Sequence, residues 1–370
     1  MSEAARTPVN AMPESMQPGG LQADTGFLWD FWYPAMRSDE IYGKHLATAM
    51  LLEVPLVLGR TSEGKAFAMR DACPHRGIPL PYGHFDGKNL QCSYHGWEFD
   101  ACSGQCLLIP SLTSHDKLKV ERIAAGHYPC EERDGYVWMY MNAAGTRLPE
   151  QMPAAPELPK FSGKFKITRL DCELPSHIDH GIIGLMDPVH GPFVHQSWFW
   201  RSKKSIHAKS KQFEPIPNGF RMSKHSPSTN SLPYQLLKKM TGEAVTTIDF
   251  VLPNMRFEQI HRGKLWFSSR ATVTPARRDL CRIDFVAAWN LALPVAIFRA
   301  FAKVFLRQDH ETMIQQSEGL KHNPRLMLID DADRPAKWYF ALKQNLIQER
   351  RTGVPVPHPM TGPVTLHWKS

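Results

Sequence analysis

Cys73-Pro74-His75-Arg76-Gly77 and Cys92-Ser93-Tyr94-His95-Gly96-Trp97 set a Cys-x-His against a Cys-x-x-His, with sixteen residues between His75 and Cys92. Each short loop therefore supplies one thiol and one imidazole. Two thiolates on one iron and two imidazoles on the other make a [2Fe-2S] centre. Its potential lies above that of an all-cysteine cluster because neutral ligands replace anionic ones. Such a centre passes one electron at a time. The competing reading is structural zinc, which takes the same donors tetrahedrally. Zinc ribbons and fingers pair Cys with Cys at close spacing, whereas here each loop pairs Cys with His. Gly77 and Gly96 follow the ligands where the backbone must turn around a bound group.

These loops resemble those of Rieske proteins. Members from respiratory cytochrome complexes carry an extra Cys in each loop, joined as a disulfide, and here Ile78 and Tyr94 occupy those positions. The resemblance thus points to the soluble, lower-potential branch found in bacterial ferredoxins and ring-hydroxylating oxygenases. Of seven cysteines, Cys102, Cys106, Cys130, Cys172 and Cys281 remain and are expected as free thiols of a reducing, cytoplasmic compartment. Cys102-x-x-x-Cys106 as a further ligand pair is the weaker alternative to ordinary thiols.

A Rieske ferredoxin needs only about a hundred residues, so a 370-residue chain has room for a second domain with its own core. Residues 1–26 are rich in Pro, Gly and small polar residues, contain no apolar run suited to a signal peptide, and read as a disordered arm. Residues 27–147 read as an all-β module, with strand-like runs LLEVPLVLG, KAFAMR and GYVWMYM around the cluster loops. A Pro-rich linker follows at 148–160, LPEQMPAAPELPK.

From 161 to 370 the pattern changes to α+β. Strand-like segments at 163–173, 204–213, 245–251, 255–261, 264–274 and 281–289 accompany helical stretches near 176–187, 295–320 and 336–350. An antiparallel sheet with helices on one side is expected. The apolar, uncharged stretch Phe285–Phe298 is 14 residues and contains Asn290 and Pro294, too short for a membrane span. Within LALPVAIFRAFAKVFLR (291–307), Arg299, Lys303 and Arg307 make a basic stripe on an apolar helix. That reads first as a core helix with one solvated edge; the alternative is a surface that touches lipid or guards the entrance for a greasy substrate. The net charge of +8 suits an acidic partner such as a ferredoxin or reductase. Basic residues are scattered and not interleaved with aromatics, which argues against nucleic-acid binding.

A second metal is written into HIDHGIIGLMDPVHGPFVH (177–195), where Asp187, His190 and His195 form D-x-x-H-x-x-x-x-H. Positions three apart lie near one helix face, but His195 could not join His190 on a straight helix. Pro188, before the two histidines, and Gly191-Pro192, between them, are expected to break the helix so that the second imidazole swings back. Two imidazoles and a carboxylate on one side of an octahedron leave sites open, the non-haem Fe(II) arrangement. The carboxylate chosen is Asp309 in RQDHETMIQQ, expected to open a helix; Glu311 is the alternative, as is a first-turn role balancing the helix dipole. His177 and His180 are an alternative metal pair. Met186, Phe193, Trp198, Phe199 and Trp200 surround the motif and read either as an apolar pocket or as core.

At these residues the chain resembles the catalytic α subunits of Rieske non-haem iron oxygenases, in the branch that includes O- and N-demethylating monooxygenases. The resemblance spans roughly 27–370. It implies a Rieske β domain followed by a helix-grip catalytic domain, a head-to-tail homotrimer, and Fe(II) on His190, His195 and Asp309 beside the cluster on Cys73, His75, Cys92 and His95. It also implies that Asp187 bridges His190 to His95 of the neighbouring subunit, orienting both imidazoles. Many members carry Asn one turn before this Asp, where Ile183 and Gly184 stand here.

The expected activity is O2-dependent hydroxylation or oxidative demethylation of a hydrophobic, aromatic or sterol-like substrate. Cis-dihydroxylation, or electron transfer without oxygenation, are the alternatives. The chain lacks a G-x-G-x-x-G after a strand and a plant-type ferredoxin cysteine set, so NAD(P)H electrons are expected from a separate reductase, with or without a ferredoxin between.

Overall fold

A computed structural model describes residues 26–143, 147–158, 163–196, 206–225 and 244–370. The chain forms two compact units, one of residues 29–157 with 275–277, the other including 158–274 and 278–370.

The first unit is built from ten short strands: β1 (Phe31–Arg37), β2 (Ala47–Leu51), β3 (Val54–Arg60), β4 (Ala66–Arg70), β5 (His84–Phe85), β6 (Asn89–Gln91), β7 (Glu98–Asp100), β8 (Cys106–Leu108), β9 (Cys130–Arg133) and β10 (Tyr136–Met141). They make three antiparallel sheets, ordered β1-β10-β9, β2-β3-β4 and β5-β6-β7-β8. In β10 every residue of YVWMYM is buried, as a run without polar alternation requires of a central strand.

The stretch LLEVPLVLG is not one strand. Leu51 pairs with Val54 across a two-residue turn in which Leu52 and Glu53 both have left-handed φ, 51° and 64°. Such turns favour Asn-Gly, and none is present, so the run reads as continuous. The turn is held from outside: the Leu52 and Glu53 amides donate to the carbonyls of Pro275 and Ala276, each at 2.9 Å. The cluster loops lie between β4 and β5 and between β6 and β7, over a core that includes Leu80, Phe85, Leu90 and Phe99.

The second unit carries β11 (Lys166–Leu174), β12 (Ala208–Ile216), β13 (Gly219–His225), β14 (Val245–Val251), β15 (Met255–Arg262), β16 (Leu265–Arg277), β17 (Leu280–Trp289) and β18 (Val364–Lys369). They form one eight-stranded sheet, ordered β11-β17-β16-β15-β14-β13-β12-β18. Strands β13 and β18 were not among the expected segments. The described helices are α1 (Ile178–Met186), α2 (Gly191–Val194), α3 (Val295–Leu320) and α4 (Arg334–Thr352).

Register places α1, α3 and α4 on one face. Phe220 pairs with Phe250, Phe250 with Arg256, and Arg256 with Ala271, so these side chains share a face with Phe267 and Val273 on β16. On that face Trp338 of α4 meets Phe213 and Phe220, Phe298 of α3 meets Phe267, and Gly181 of α1 approaches Val273. The α+β expectation of helices on one side of an antiparallel sheet holds.

Helix α4 starts and stops as its sequence directs, with Pro335 in the first turn, Arg350 and Arg351 in the last, and Gly353 left-handed (φ 70°) just beyond. Helix α3 corrects two expectations. Only Leu306 of its 26 residues is buried, with Ile297 46% and Phe301 41% exposed, so it is not a core helix. Asp309 lies fourteen residues in from Val295, inside the helix and not at its start. A first-turn dipole role therefore does not account for it. No described helix is long and apolar enough to cross a membrane.

Candidate metal centres

The two cluster loops are copies of one turn. The Gly77 amide donates to the Cys73 carbonyl at 2.8 Å and the Cys73 amide to the Ile78 carbonyl at 2.9 Å. In the second loop Gly96 donates to Cys92 at 3.1 Å and Cys92 to Trp97 at 2.8 Å. Both glycines are left-handed, φ 73° and 69°, which lets the chain close on itself within five residues. Each loop thus buries a sulfur and leaves an imidazole outward. Cys73 and Cys92 are buried, while the His75 and His95 rings stand 4.5 Å apart.

Burial pushes the Cys73 thiol up to about 11; backbone donors from His75 oppose this and the neighbouring Cys92 sulfur adds to it. Such a thiol becomes a thiolate only with a cation to hold it. His75 stacks on Trp97 at 4.7 Å and 4° between planes, and Tyr94 lies 4.0 Å from His95. Among the described residues, only His190, His195 and Asp309 form a group of three or more whose ligand atoms lie within 4.8 Å. A tetrahedral zinc ion would draw its donors to within about 4 Å of each other. Cys73, His75, Cys92 and His95 do not form such a group of three.

The second centre begins where α1 ends. Asp187 caps α1, and Pro188 prevents continuation. The helix breaks there, before His190, at the end of the stretch expected near 176–187. Pro192 instead sits in the first turn of α2, with His190 and His195 flanking that short helix at its two ends. The single turn between them folds His195 back, so the Nε2 atoms of the two imidazoles lie 3.1 Å apart.

From α3, Asp309 places Oδ1 3.3 Å from His195 Nε2. Burial pushes the Asp309 carboxyl up to about 6, with His190 pulling against it. Burial would push His190 down, but the Asp187 carboxylate and Asp309 outweigh it and the net direction is up. Three lone-pair donors converge with room for one shared cation or proton among them. That donor set fits a divalent iron bound by two imidazoles and a carboxylate.

Behind these atoms, Asp187 Oδ2 lies 3.4 Å from His190 Nδ1, and Asp187 Oδ1 accepts the Val189 amide at 2.7 Å. Asp187 therefore addresses the ring nitrogen turned away from the centre, as an orienting group would and a ligand would not. His195 Nδ1 meets Gln308 Oε1 at 3.2 Å, and the Phe305 ring lies 4.7 Å from His195. Gln308 and Phe305 were not anticipated, although F-x-x-Q-D has the spacing of one helix face.

The alternatives are placed elsewhere. Glu311 is exposed and pairs with Arg307 at 3.6 Å. His177 caps α1, accepting the Asp179 amide at 3.2 Å. His180 is buried, and burial first, then His177, push it down to about 4 against the pull of Asp179. Met186 is buried and Phe193 exposed. Trp198, Phe199 and Trp200 lie outside the described residues.

Residues 31–123 match the Rieske [2Fe-2S] domain. The chain is 33% identical over 177 residues to chlorophyllide a oxygenase of Arabidopsis thaliana, covering 46% of this chain and 30% of that protein. It is 37% identical over 175 residues to the oxygenase subunit of 3-chlorobenzoate-3,4-dioxygenase of Comamonas testosteroni, covering 46% and 38%. These matches span about a third of the relatives' own lengths. In fold, the chain aligns with dicamba monooxygenase bound to 3,6-dichlorosalicylic acid at a TM-score of 0.67 and 19% identity, covering 88% of this chain and 99% of that one.

Proposed function

We propose that this chain, which carries a Rieske [2Fe-2S] domain and has the fold of Rieske oxygenases, is the terminal oxygenase of an electron-transfer system acting on a hydrophobic substrate. The convergence of His190 Nε2, His195 Nε2 and Asp309 Oδ1 carries this reading. Bound there, Fe(II) would supply activation of O2 at its open positions, and the cluster would supply one-electron storage.

The protein's own groups have distinct tasks. His190 and His195 present Nε2, and Asp309 presents a carboxylate oxygen whose charge offsets that of the metal. Asp187 stands 3.4 Å from His190 Nδ1, where its carboxylate would take that nitrogen's proton and fix the ring and its tautomer. In the first unit Cys73 and Cys92 offer buried sulfurs, while His75 and His95 face outward, where an electron donor or acceptor can reach them. A head-to-tail trimer, bringing His95 of one copy to Asp187 of the next, follows from the family resemblance. NAD(P)H electrons would arrive through a separate reductase, directly or through a ferredoxin, in the cytoplasm.

Monooxygenation, including oxidative demethylation, is favoured over cis-dihydroxylation, since the chain spans nearly the whole of a monooxygenase of like fold. An aromatic or polycyclic substrate is supported by relatives named for chlorophyllide a and 3-chlorobenzoate. The test is metal analysis together with O2-dependent NADH consumption in the presence of a reductase and a substrate panel. About three irons per chain are expected, two of them in the cluster. Two irons per chain and no O2-dependent turnover would make it an electron-transfer protein.

A further inference from the structure

The two imidazoles of the mononuclear centre are backed by different chemistry. His190 Nδ1 faces a carboxylate, that of Asp187, at 3.4 Å. His195 Nδ1 faces a neutral amide, Gln308 Oε1, at 3.2 Å. A neutral imidazole that offers Nε2 to a metal carries its proton on Nδ1, so Gln308 must accept there. The opposite amide orientation would put the proton on Nε2, the atom aimed at His190 and Asp309, and would block ligation.

Gln308 does not act alone. Phe305, Gln308 and Asp309 occupy positions i, i+3 and i+4 of α3 and so share a face. Phe305 meets the His195 ring edge-on at 4.7 Å and 63°, Gln308 reaches Nδ1, and Asp309 reaches Nε2 at 3.3 Å. One helix face thus addresses a single imidazole at its edge, at Nδ1 and, through a cation shared with Asp309, at Nε2.

We propose that Gln308 is a positioning residue that holds His195 in its metal-binding tautomer and ring plane, with Phe305 and Asp309 completing the cradle. The inference rests on His190, His195 and Asp309 being the mononuclear metal site. Orienting partners of this kind change metal affinity by about 10- to 100-fold when removed.

The test is equilibrium dialysis of Co(II) into full-length protein whose mononuclear metal has been chelated away with cluster absorbance unchanged. Gln308→Leu, which keeps bulk without an acceptor, should weaken Co(II) binding about 10- to 100-fold. Gln308→Glu, which keeps the acceptor and reach, should bind at least as tightly as wild type. Should Gln308→Leu fail to fold, Gln308→Asn, shorter by one methylene, is expected to show the same weakening. Wild-type affinity in Gln308→Leu, or in Gln308→Asn where that replaces it, overturns the proposal. So does a Gln308→Glu protein that binds as weakly as the variant without an acceptor in reach, since packing alone would then be at work. His195→Ala separates the two levels: if it binds Co(II) like wild type, the metal-site reading itself has failed.

Discussion

The Lys343 ammonium of α4 lies 2.8 and 2.9 Å from the two carboxylate oxygens of Asp179 on α1, with the side chains only 5% and 0% exposed. The Tyr339 hydroxyl donates to the same carboxylate, and His177 Nδ1 stands 3.6 Å away. This buried cluster ties α4 to the helix that runs directly into Asp187 and His190. The position of His190 therefore depends on an ion pair that touches none of the candidate iron ligands.

Lys343→Met should be strongly destabilising, by about 3–5 kcal/mol, because it strands a buried carboxylate. Adding Asp179→Asn to it should restore much of the loss, since no uncompensated charge then remains. Denaturant unfolding of the two variants tests this; equal stability of the single and double variants would show that the pair is not coupled.

Acid should weaken the same cluster. Burial pushes the Asp179 carboxyl up, but Lys343, His177 and Tyr339 outweigh it and the net direction is down. A carboxylate depressed on folding adds stability above its unfolded value of about 3.9, lost as pH falls through the lower folded value. The stability gap between wild type and Asp179→Asn should stay level from about pH 7 to 5 and narrow below about 4. A gap that widens on acidification would reverse the assigned direction.

Asp187→Asn is expected to keep both metal centres, since the amide oxygen can still accept the Val189 amide that shapes the turn. Its NH2 group cannot accept the His190 Nδ1 proton, so reoxidation of the reduced cluster by the mononuclear site should slow by orders of magnitude. Single-turnover stopped-flow on iron-replete protein measures this. Wild-type reoxidation in iron-replete protein would remove Asp187 from the electron path.

Two glycines of α1 should respond oppositely. A Cβ on Gly181 would stand 2.8 Å from Val273 Cγ1 and 3.1 Å from Cys281 Sγ, whereas one on Gly184 meets only Met313 Cε at 3.9 Å. Gly181→Ala should cost about 1–3 kcal/mol through overpacking against the sheet. Gly184→Ala should stabilise by up to about 1 kcal/mol through helix propensity. Thermal melts of both variants decide it, and equal effects would mean that α1 does not sit tightly on β16 and β17.

Cys73→Ala should abolish the visible absorbance of the cluster while leaving metal at His190, His195 and Asp309, because the two centres draw on separate stretches of chain. An unchanged spectrum would end the cluster assignment.

Much of this was legible in the chain itself. The cluster loops could be read because all their chemistry is local: ligand and turn-closing glycine fall within five residues, and the same hydrogen-bonded turn occurs twice. The D-x-x-H-x-x-x-x-H element was equally plain, and so was α4, which carries its own start and stop signals. So was the end of α1 near 187, but Pro188 and Pro192 each can end one helix or begin another, and only the folded chain shows that Pro192 begins α2.

What lay beyond the sequence was whatever depends on a distant partner. The Leu52-Glu53 turn lacks turn residues because its amides are satisfied by Pro275 and Ala276. Asp309 looked like a helix start because acidic residues favour a first turn, although it falls inside the helical stretch read near 295–320, and the structure places it fourteen residues into that one helix. Gln308 and Phe305 gain their roles only when α3 brings them to His195, 113 residues away from Gln308 in sequence. Spacing along a chain reports groups that one turn can bring together. The orientation of an imidazole is set by atoms at its far side, and those come from whichever element packs there.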